Sequence, residues 1–147
     1  MRLLDRDETV VLVTGTAGTA GERDRPLAFS LRDAIDARGN GHPYRRAVVT
    51  ADTDYLDRPA LHANPTIAIG GPGVNAVAQQ FAAGLPMVWQ EEERVFVQAD
   101  FDAEPKRVTL WGMDASATAS AVDTFINHGF LDLLLERIWR IRPETVA

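Results

Sequence analysis

The sequence predicts a single α/β domain spanning residues 1–147, with a mainly parallel sheet, an antiparallel hairpin at the sheet edge and helices on both faces. Three observations predict this fold. Short runs of apolar and β-branched residues recur along the chain, as is typical of strands buried in a parallel sheet. Glycine-rich loops follow these runs, and segments with apolar residues at helical spacing follow the loops. Because strands alternate with helices, we expect right-handed crossovers that put helices on both faces of the sheet, which gives three layers.

The first half of the chain contains three predicted strands and one predicted helix. The strands are Val10–Val13, Ala47–Thr50 and Thr66–Ile69. After the first strand we expect a loop from Thr16 to Pro26. A helix with Ala28, Leu31 and Ile35 on its inner face follows this loop. The run Gly39-Asn40-Gly41 ends the helix.

The second half of the chain predicts three helices, one hairpin and one further strand. A short helix begins at Val74 and ends before Gly84. The apolar runs Met87–Trp89 and Val95–Val97 flank charged residues and predict the antiparallel hairpin. The remaining elements are a strand at Arg107–Trp111, a helix over 115–126 and a last helix from Phe130 to Ile141.

The composition is that of an ordinary globular domain and excludes several kinds of function. Hydrophobic residues make up 46% of the chain, and the formal net charge of -6 argues against a nucleic-acid or membrane partner. Because there is no cysteine, a disulfide scaffold, a thiol nucleophile and a zinc-thiolate site are excluded. The apolar run at Val10–Val13 is too short for a secretory signal, so we expect a cytoplasmic protein.

The run Gly70-Gly71-Pro72-Gly73-Val74-Asn75 is the most specific motif of the sequence. It follows a buried strand and opens a helix, at the end of the strand where α/β sheets bind ligands. Glycines let a backbone approach a ligand closely, and amide groups at a helix start attract phosphate or carboxylate. The spacing fits neither the dinucleotide nor the Walker fingerprint.

Two interpretations of this motif stay open. One is a tight turn without a ligand, in which Gly71 or Gly73 would have a positive φ. The other is an anion or nucleotide site that uses Gly70, Gly71, Gly73 and Asn75.

A second glycine-bearing loop follows the first predicted strand. Its candidate ligand-binding residues are Gly15, Thr16 and Gly18, and both loops would line one crevice if the first and third strands are neighbours. Asp52 and Asp54 follow the second strand and could hold Mg²⁺ or orient a ribose hydroxyl. The alternatives are a mobile surface loop for the first segment and helix capping for the two aspartates.

No catalytic constellation emerges from the residue spacing. The three histidines stand singly, so we expect no metal site. The serines at 30, 116 and 120 lie inside or at the start of predicted helices, and none occupies a nucleophile elbow. These observations favour a protein without catalytic activity.

Two segments resemble a known family. Ile69–Asn75 is similar to the strand-GGPxxN-helix turn of the α/β domains in archaeal surface-layer proteins. Val108–Ala115, followed by Thr118 and Ala121, is similar to a later strand-loop-helix of the same domains. The resemblance implies a mixed α/β fold, a structural role for the GGPGVN loop, and a unit of a cell-surface lattice without catalytic residues.

Two functions are compatible with the sequence. The first is a non-catalytic binding or assembly module. The second is an enzyme or sensor that binds a nucleotide or phosphorylated metabolite at the Gly15 and Gly70 loops, with Asp52 or Asp54 assisting. A small anion is the ligand expected at these loops, and the sequence identifies no cofactor.

The last predicted helix favours self-association. Its apolar residues extend around more than a narrow stripe, and a monomer rarely exposes so large a patch. We therefore expect a homo-oligomer assembled through Phe130 to Ile141, with two-fold pairing as the commonest form. The alternative is that this helix is the most buried one of the fold.

Overall fold

The computed structural model describes residues 4–139 and confirms the α/β class. The strands are β1 (Val10–Thr14), β2 (Ala47–Ala51), β3 (Thr66–Ile69), β4 (Met87–Glu91), β5 (Val95–Asp100) and β6 (Arg107–Gly112). The α-helices are α1 (Ala20–Gly39), α2 (Asp52–Leu56), α3 (Ala76–Ala82), α4 (Ala115–Asn127) and α5 (Phe130–Ile138). A short 3₁₀ helix, Pro59–Ala63, lies between α2 and β3.

All these strands form one mixed sheet in the order β2-β1-β3-β6-β5-β4. β1 lies between β2 and β3 and is parallel to both, with Thr14 opposite Ala51 on one side and Ile69 on the other. β3 is also parallel to β6. The four parallel strands therefore end at the same edge of the sheet, which is the edge where α/β domains bind ligands.

The far edge of the sheet is antiparallel, as the hairpin pattern predicts. β4 pairs with β5, and β5 pairs with β6, both in antiparallel register. Glu92 and Glu93 form the exposed turn between β4 and β5, and both have a positive φ. The sheet is thus mostly parallel with an antiparallel edge.

The side chains of β1 alternate between two hydrophobic clusters. Val10 and Leu12 belong to a larger cluster to which α1, α4 and α5 contribute. Val11 and Val13 belong to a smaller cluster to which α2 and α3 contribute. Residues two apart on a strand point to the same face, so Thr14 points to the same side as Leu12, toward α1.

α1 begins at Ala20, inside the segment that the sequence predicted as a loop. Pro26, which was expected to lie in that loop, is part of the helix. Because proline has no N–H, the Glu22 carbonyl has no backbone donor four residues along the helix. Burial of Ala20 and Ala28 on one face of the helix offsets this lost hydrogen bond. The predicted start is therefore wrong.

α5 packs mostly against the chain itself. Leu131, Leu134 and Leu135 are buried in the larger cluster, together with Trp139, whose indole N–H donates to the Glu8 carbonyl at 2.6 Å. Less apolar surface is left for self-association than the sequence predicted, in line with the alternative of a buried helix. The predicted continuation to Ile141 lies outside the described residues, and the homo-oligomer stays a prediction.

Candidate functional site

The candidate site lies where β1 and β3 end side by side. The chain passes from β1 to β2 on one side and returns to β3 on the other, so the strand order reverses here. The segments after the two strands are residues 15–19, the β1 loop, and residues 70–75, the β3 loop. The two loops are neighbours because β1 pairs with β3, which is the condition under which the sequence analysis expected them to line one crevice. In open α/β sheets, ligands usually bind where the strand order reverses.

The two loops touch at Gly15. A Cβ atom on this residue would lie 2.0 Å from the carbonyl oxygen of Val74 and 3.0 Å from the Cα of Asn75. No other residue fits this contact without moving the backbone. Gly15 is therefore explained by the packing of one loop on the other.

Asn75 joins both strands to the start of α3. Its side-chain amide donates to the carbonyls of Val13 and Ile69, each at 3.0 Å. Its side-chain oxygen accepts from the amides of Val77 at 3.0 Å and Ala78 at 3.1 Å. Asn75 is 1% exposed, and these bonds occupy both ends of its amide group. The residue therefore holds the β3 loop in place, which supports the turn interpretation of the motif.

Asp52 ties the β1 loop to two helices. One carboxylate oxygen accepts from the Thr16 hydroxyl and from the Thr53 amide, each at 2.8 Å. The other accepts from the Ala76 amide at 2.9 Å, at the start of α3. Asp52 therefore satisfies one amide at the start of α2 and one at the start of α3, although the N-cap residues of these helices are Ala51 and Asn75.

The other predicted site residues lie at the open rim. Gly18 and Gly73 have no atom within 4 Å of an added Cβ, so both face open space. Asp54 is exposed on α2 and makes no contact with Gly18 or Gly73 that the structure records. The structure thus brings Gly15, Thr16, Asp52 and Asn75 together. Gly18, Asp54 and Gly73 are exposed, whereas Gly70 is buried and Gly71 is half-buried.

The positive φ expected at Gly71 or Gly73 occurs at Gly70 instead. Gly70 has a φ of +108°, whereas neither of the other two is in the left-handed region. The Gly70 amide still donates to the Leu110 carbonyl at 2.9 Å, so the chain turns directly after this last pairing with β6. The prediction of a positive φ at Gly71 or Gly73 is wrong because the turn already begins at Gly70, directly after β3.

Asp24 is a candidate site residue that the sequence analysis missed. Its side chain is fully buried on the inner face of α1, and Oδ2 would lie 2.7 Å from a Cβ atom on Gly70. Neither carboxylate oxygen accepts a hydrogen bond from any described residue. Its ion-pair partner is Arg23, whose Nε lies 3.6 Å from Oδ1 and whose side chain is 40% exposed. A buried carboxylate without a hydrogen-bond donor therefore reaches the start of the β3 loop.

Thr14 adds a second buried polar group at the same place. It is the last residue of β1, it is fully buried, and its hydroxyl makes no hydrogen bond with the described residues. Its side chain points to the face that α1 covers, as the alternation along β1 requires. Thr14 and Asp24 therefore lie on one face of the sheet at the carboxyl end of β1.

The sequence does contain a signal for Asp24. Ala20, Asp24 and Ala28 are spaced four residues apart, which puts them on one helix face. If the predicted helix had been extended toward the N-terminus beyond Pro26, Asp24 would have fallen on its buried face. A charged residue on such a stripe is an indicator of function, because an ionised group is rarely buried without a partner.

Burial raises the pKa of the Asp24 carboxyl, and the charge of Arg23 lowers that pKa only in part. A carboxyl whose pKa is higher in the folded chain destabilises the fold once the pH rises through that value. We therefore expect Asp24→Asn to have a higher Tm than the wild type at neutral pH. The two proteins should have the same Tm at about pH 3, where the carboxyl is protonated in both states.

Thermal unfolding followed by circular dichroism across this pH range measures the difference. Asp54→Asn is the matched control, because it removes an exposed carboxylate instead of a buried one. A gap between Asp24→Asn and the wild type that stays constant with pH would contradict the expected ionisation of Asp24.

Trp111 lies beside the β3 loop and offers a spectroscopic probe of it. A Cβ atom on Gly71 would lie 3.4 Å from the indole ring. The ring stacks on Phe96 with 4.3 Å between the ring centroids, and its N–H donates to Gln98 at 3.0 Å. Because these contacts hold the indole in place, a change in the β3 loop should alter its fluorescence.

A polar cleft of about 450 Å³ lies at the opposite end of the sheet, beside the amino ends of β3 and β6. Lys106, the only lysine of the chain, lines it and is 5% exposed. Its ammonium group donates to the Ala103 carbonyl at 2.9 Å and to the Glu104 carboxylate. Arg137 pairs with Asp102 in the same region. The main cations of this cleft are thus already paired.

Two features are absent from residues 4–139. These residues contain no group of three or more histidine, aspartate or glutamate side chains arranged to hold a metal ion. None of their helices combines the length and the apolar character that crossing a lipid bilayer requires.

Comparisons of the sequence with known proteins give no family. No protein-family model matches the chain, and no curated protein matches it either. The similarity to archaeal surface-layer domains therefore stays a prediction that rests on two short motifs.

Proposed function

We propose that the protein is a non-catalytic binding module whose ligand is a small polar molecule held at the β1 and β3 loops. Asp24 carries this proposal. Buried polar groups in folded proteins nearly always have hydrogen-bond partners, and this carboxylate has none among the described residues. It lies at the reversal of the strand order, where α/β domains place their ligands.

The β1 and β3 loops next to Asp24 are held in place by hydrogen bonds within the protein. Asp52 and Asn75, which the sequence suggested as ligand residues, use their polar atoms to fix the two loops. Such support holds a site in one geometry before a ligand arrives. We also infer a three-layer domain with helices on both faces of the sheet, because the two hydrophobic clusters draw on different helices.

A nucleotide- or phosphometabolite-binding enzyme or sensor is the second candidate. One observation favours it: Thr19, at the N-cap of the 20-residue α1, makes no side-chain cap hydrogen bond. The amides of Ala20 and Arg23 donate to the carbonyls of Ala17 and Thr19, so Gly21 and Glu22 provide the amides that a phosphate would meet at this helix end. Glu22 and Asp24 would repel an anion there, whereas Arg23 and Arg25 would attract it. Charge therefore does not favour this candidate, and we rank it second.

A thermal-shift screen of the full chain tests the proposed function. The compounds are nucleotides, phosphorylated metabolites, sugars, amino acids and small amines. A ligand at a hundredfold excess over its Kd should stabilise the fold by about 2.7 kcal/mol. Gly73→Phe should abolish the shift, because it puts a large side chain at the open rim of the loops without a positive φ.

Gly84→Phe is the matched control for the blocked rim. Gly84 lies after α3, also faces open space and has no positive φ. It should leave the shift intact. If no compound raises Tm, or if Gly73→Phe binds as well as the wild type, the site is not at these loops. Turnover of a bound compound would instead support the second candidate.

A further inference from the structure

The acceptor atoms at the end of β1 define the chemistry of the ligand. Both carboxylate oxygens of Asp24 and the hydroxyl oxygen of Thr14 are buried without a hydrogen bond to the described residues. An ionised carboxylate can only accept, and a hydroxyl oxygen can accept as well. These three atoms therefore match a ligand group that brings N–H or O–H donors.

The charge around Asp24 indicates which kind of N–H or O–H donor group of a ligand fits best. The guanidinium of Arg23 forms an ion pair with Asp24, with 3.6 Å between Nε and Oδ1, but the Arg23 side chain is 40% exposed and offsets the cost of burying the carboxylate only in part. Gly70, which contacts the Asp24 carboxylate, and Thr14, at the end of β1 on the face that α1 covers, carry no charge. A primary ammonium group has one positive charge and three N–H donors, which matches two carboxylate oxygens and one hydroxyl oxygen. A phosphate would meet repulsion at the same place.

The first turns of α1 provide the route to Asp24. Since Pro26 has no N–H, residues 20–25 are held to the rest of the helix by one hydrogen bond fewer than in a regular helix. Gly18 precedes this turn with a positive φ and open space around it. A small displacement of residues 20–25 would therefore open the Asp24 carboxylate toward the β1 loop.

We propose that this site takes the primary ammonium group of a small amine, with its N–H bonds directed at the Asp24 carboxylate and the Thr14 hydroxyl. The inference rests on the proposed function and names the ligand class for the same site. It replaces the small anion that the sequence suggested with a cation that donates hydrogen bonds.

Titration with simple amines tests this ligand class. The probes are methylammonium chloride and ethanolamine hydrochloride, compared with tetramethylammonium chloride and potassium chloride at equal ionic strength. Binding is followed by tryptophan fluorescence, to which Trp111 beside Gly71 should contribute. We expect saturable binding of the two primary amines only, since tetramethylammonium has a charge but no N–H donor.

Variants identify the groups that bind the amine. Asp24→Asn should weaken amine binding at least tenfold, which corresponds to about 1.4 kcal/mol. Asp123→Asn should leave the affinity unchanged, because it removes an exposed carboxylate of α4 that is not part of the site. Thr14→Val keeps the shape of the side chain without its hydroxyl and should weaken binding several-fold, which gives a second test that does not depend on Asp24.

The pH dependence gives an independent readout. A proton on Asp24 removes the charge that attracts the amine, so affinity should fall as the pH drops through the pKa of this carboxyl, which burial raises. Affinity in Asp24→Asn should not change over the same range.

Three outcomes would overturn the ligand class. They are equal binding of tetramethylammonium, unchanged amine affinity in Asp24→Asn, and the absence of a response to any amine. If a sugar or a nucleotide binds at the rim that Gly73→Phe blocks while amines do not, the amine inference fails and the proposed function stands. If neither amines nor the compound library bind, both fail.

Discussion

Replacing Gly15 by alanine is expected to destabilise the fold by about 3 kcal/mol. The added methyl group would lie 2.0 Å from the Val74 carbonyl oxygen, which is much closer than any normal van der Waals contact. The neighbouring atoms belong to the backbone of the β3 loop, so no side-chain rotation can relieve the clash. The loop would have to move and stretch the hydrogen bonds that Asn75 makes to β1 and β3.

Urea unfolding curves measure this effect. With a slope of about 1–3 kcal/mol per molar urea, a loss of this size lowers the midpoint by at least about 1 M. Gly73→Ala is the control in the partner loop. An added Cβ meets nothing within 4 Å there, so its stability should stay the same or rise by up to about 1 kcal/mol. Equal stability of Gly15→Ala and Gly73→Ala would show that the two loops do not pack as described.

The fold was largely predictable because its core strands are continuous apolar runs. All of β1 and β3 is buried, and their two polar residues, Thr14 and Thr66, lie at strand ends, so the apolar runs are not interrupted. The start of α1 was not predictable from local rules, because Pro26 is a helix breaker in isolation. Packing of Ala20 and Ala28 on the sheet decides that boundary, and packing is a property of the folded chain.

The place of the candidate site was predictable, but its key group was not. Glycines and polar residues after two buried strands indicated the correct edge of the sheet. Asp52 and Asn75 could bind a ligand or hold the neighbouring backbone in place. Which of the two they do depends on the strand order, which one sequence does not specify. Asp24 was missed for a related reason, since its burial follows from the position of α1 over β1 and β3.

Asn75 is expected to contribute more to stability than any other polar side chain of the site. Its four buried hydrogen bonds each stabilise the fold by about 1 kcal/mol, so Asn75→Ala should cost about 4 kcal/mol. The substitution would leave the carbonyls of Val13 and Ile69 without this donor in a dry environment. Asn127→Ala, at the exposed end of α4, is the control and should change stability by less than about 0.5 kcal/mol.

Asn75→Asp separates the two halves of this interaction. An aspartate can still accept from the amides of Val77 and Ala78, so the start of α3 stays capped. Its second oxygen would face the carbonyls of Val13 and Ile69 and repel them, whereas the asparagine amide donates to both. We therefore expect Asn75→Asp to be at least as destabilised as Asn75→Ala above the pKa of the new carboxyl, and to recover part of its stability in acid. Wild-type stability of Asn75→Asp at neutral pH in urea unfolding would mean that capping of α3 alone explains the asparagine, and that β1 and β3 are not joined through it.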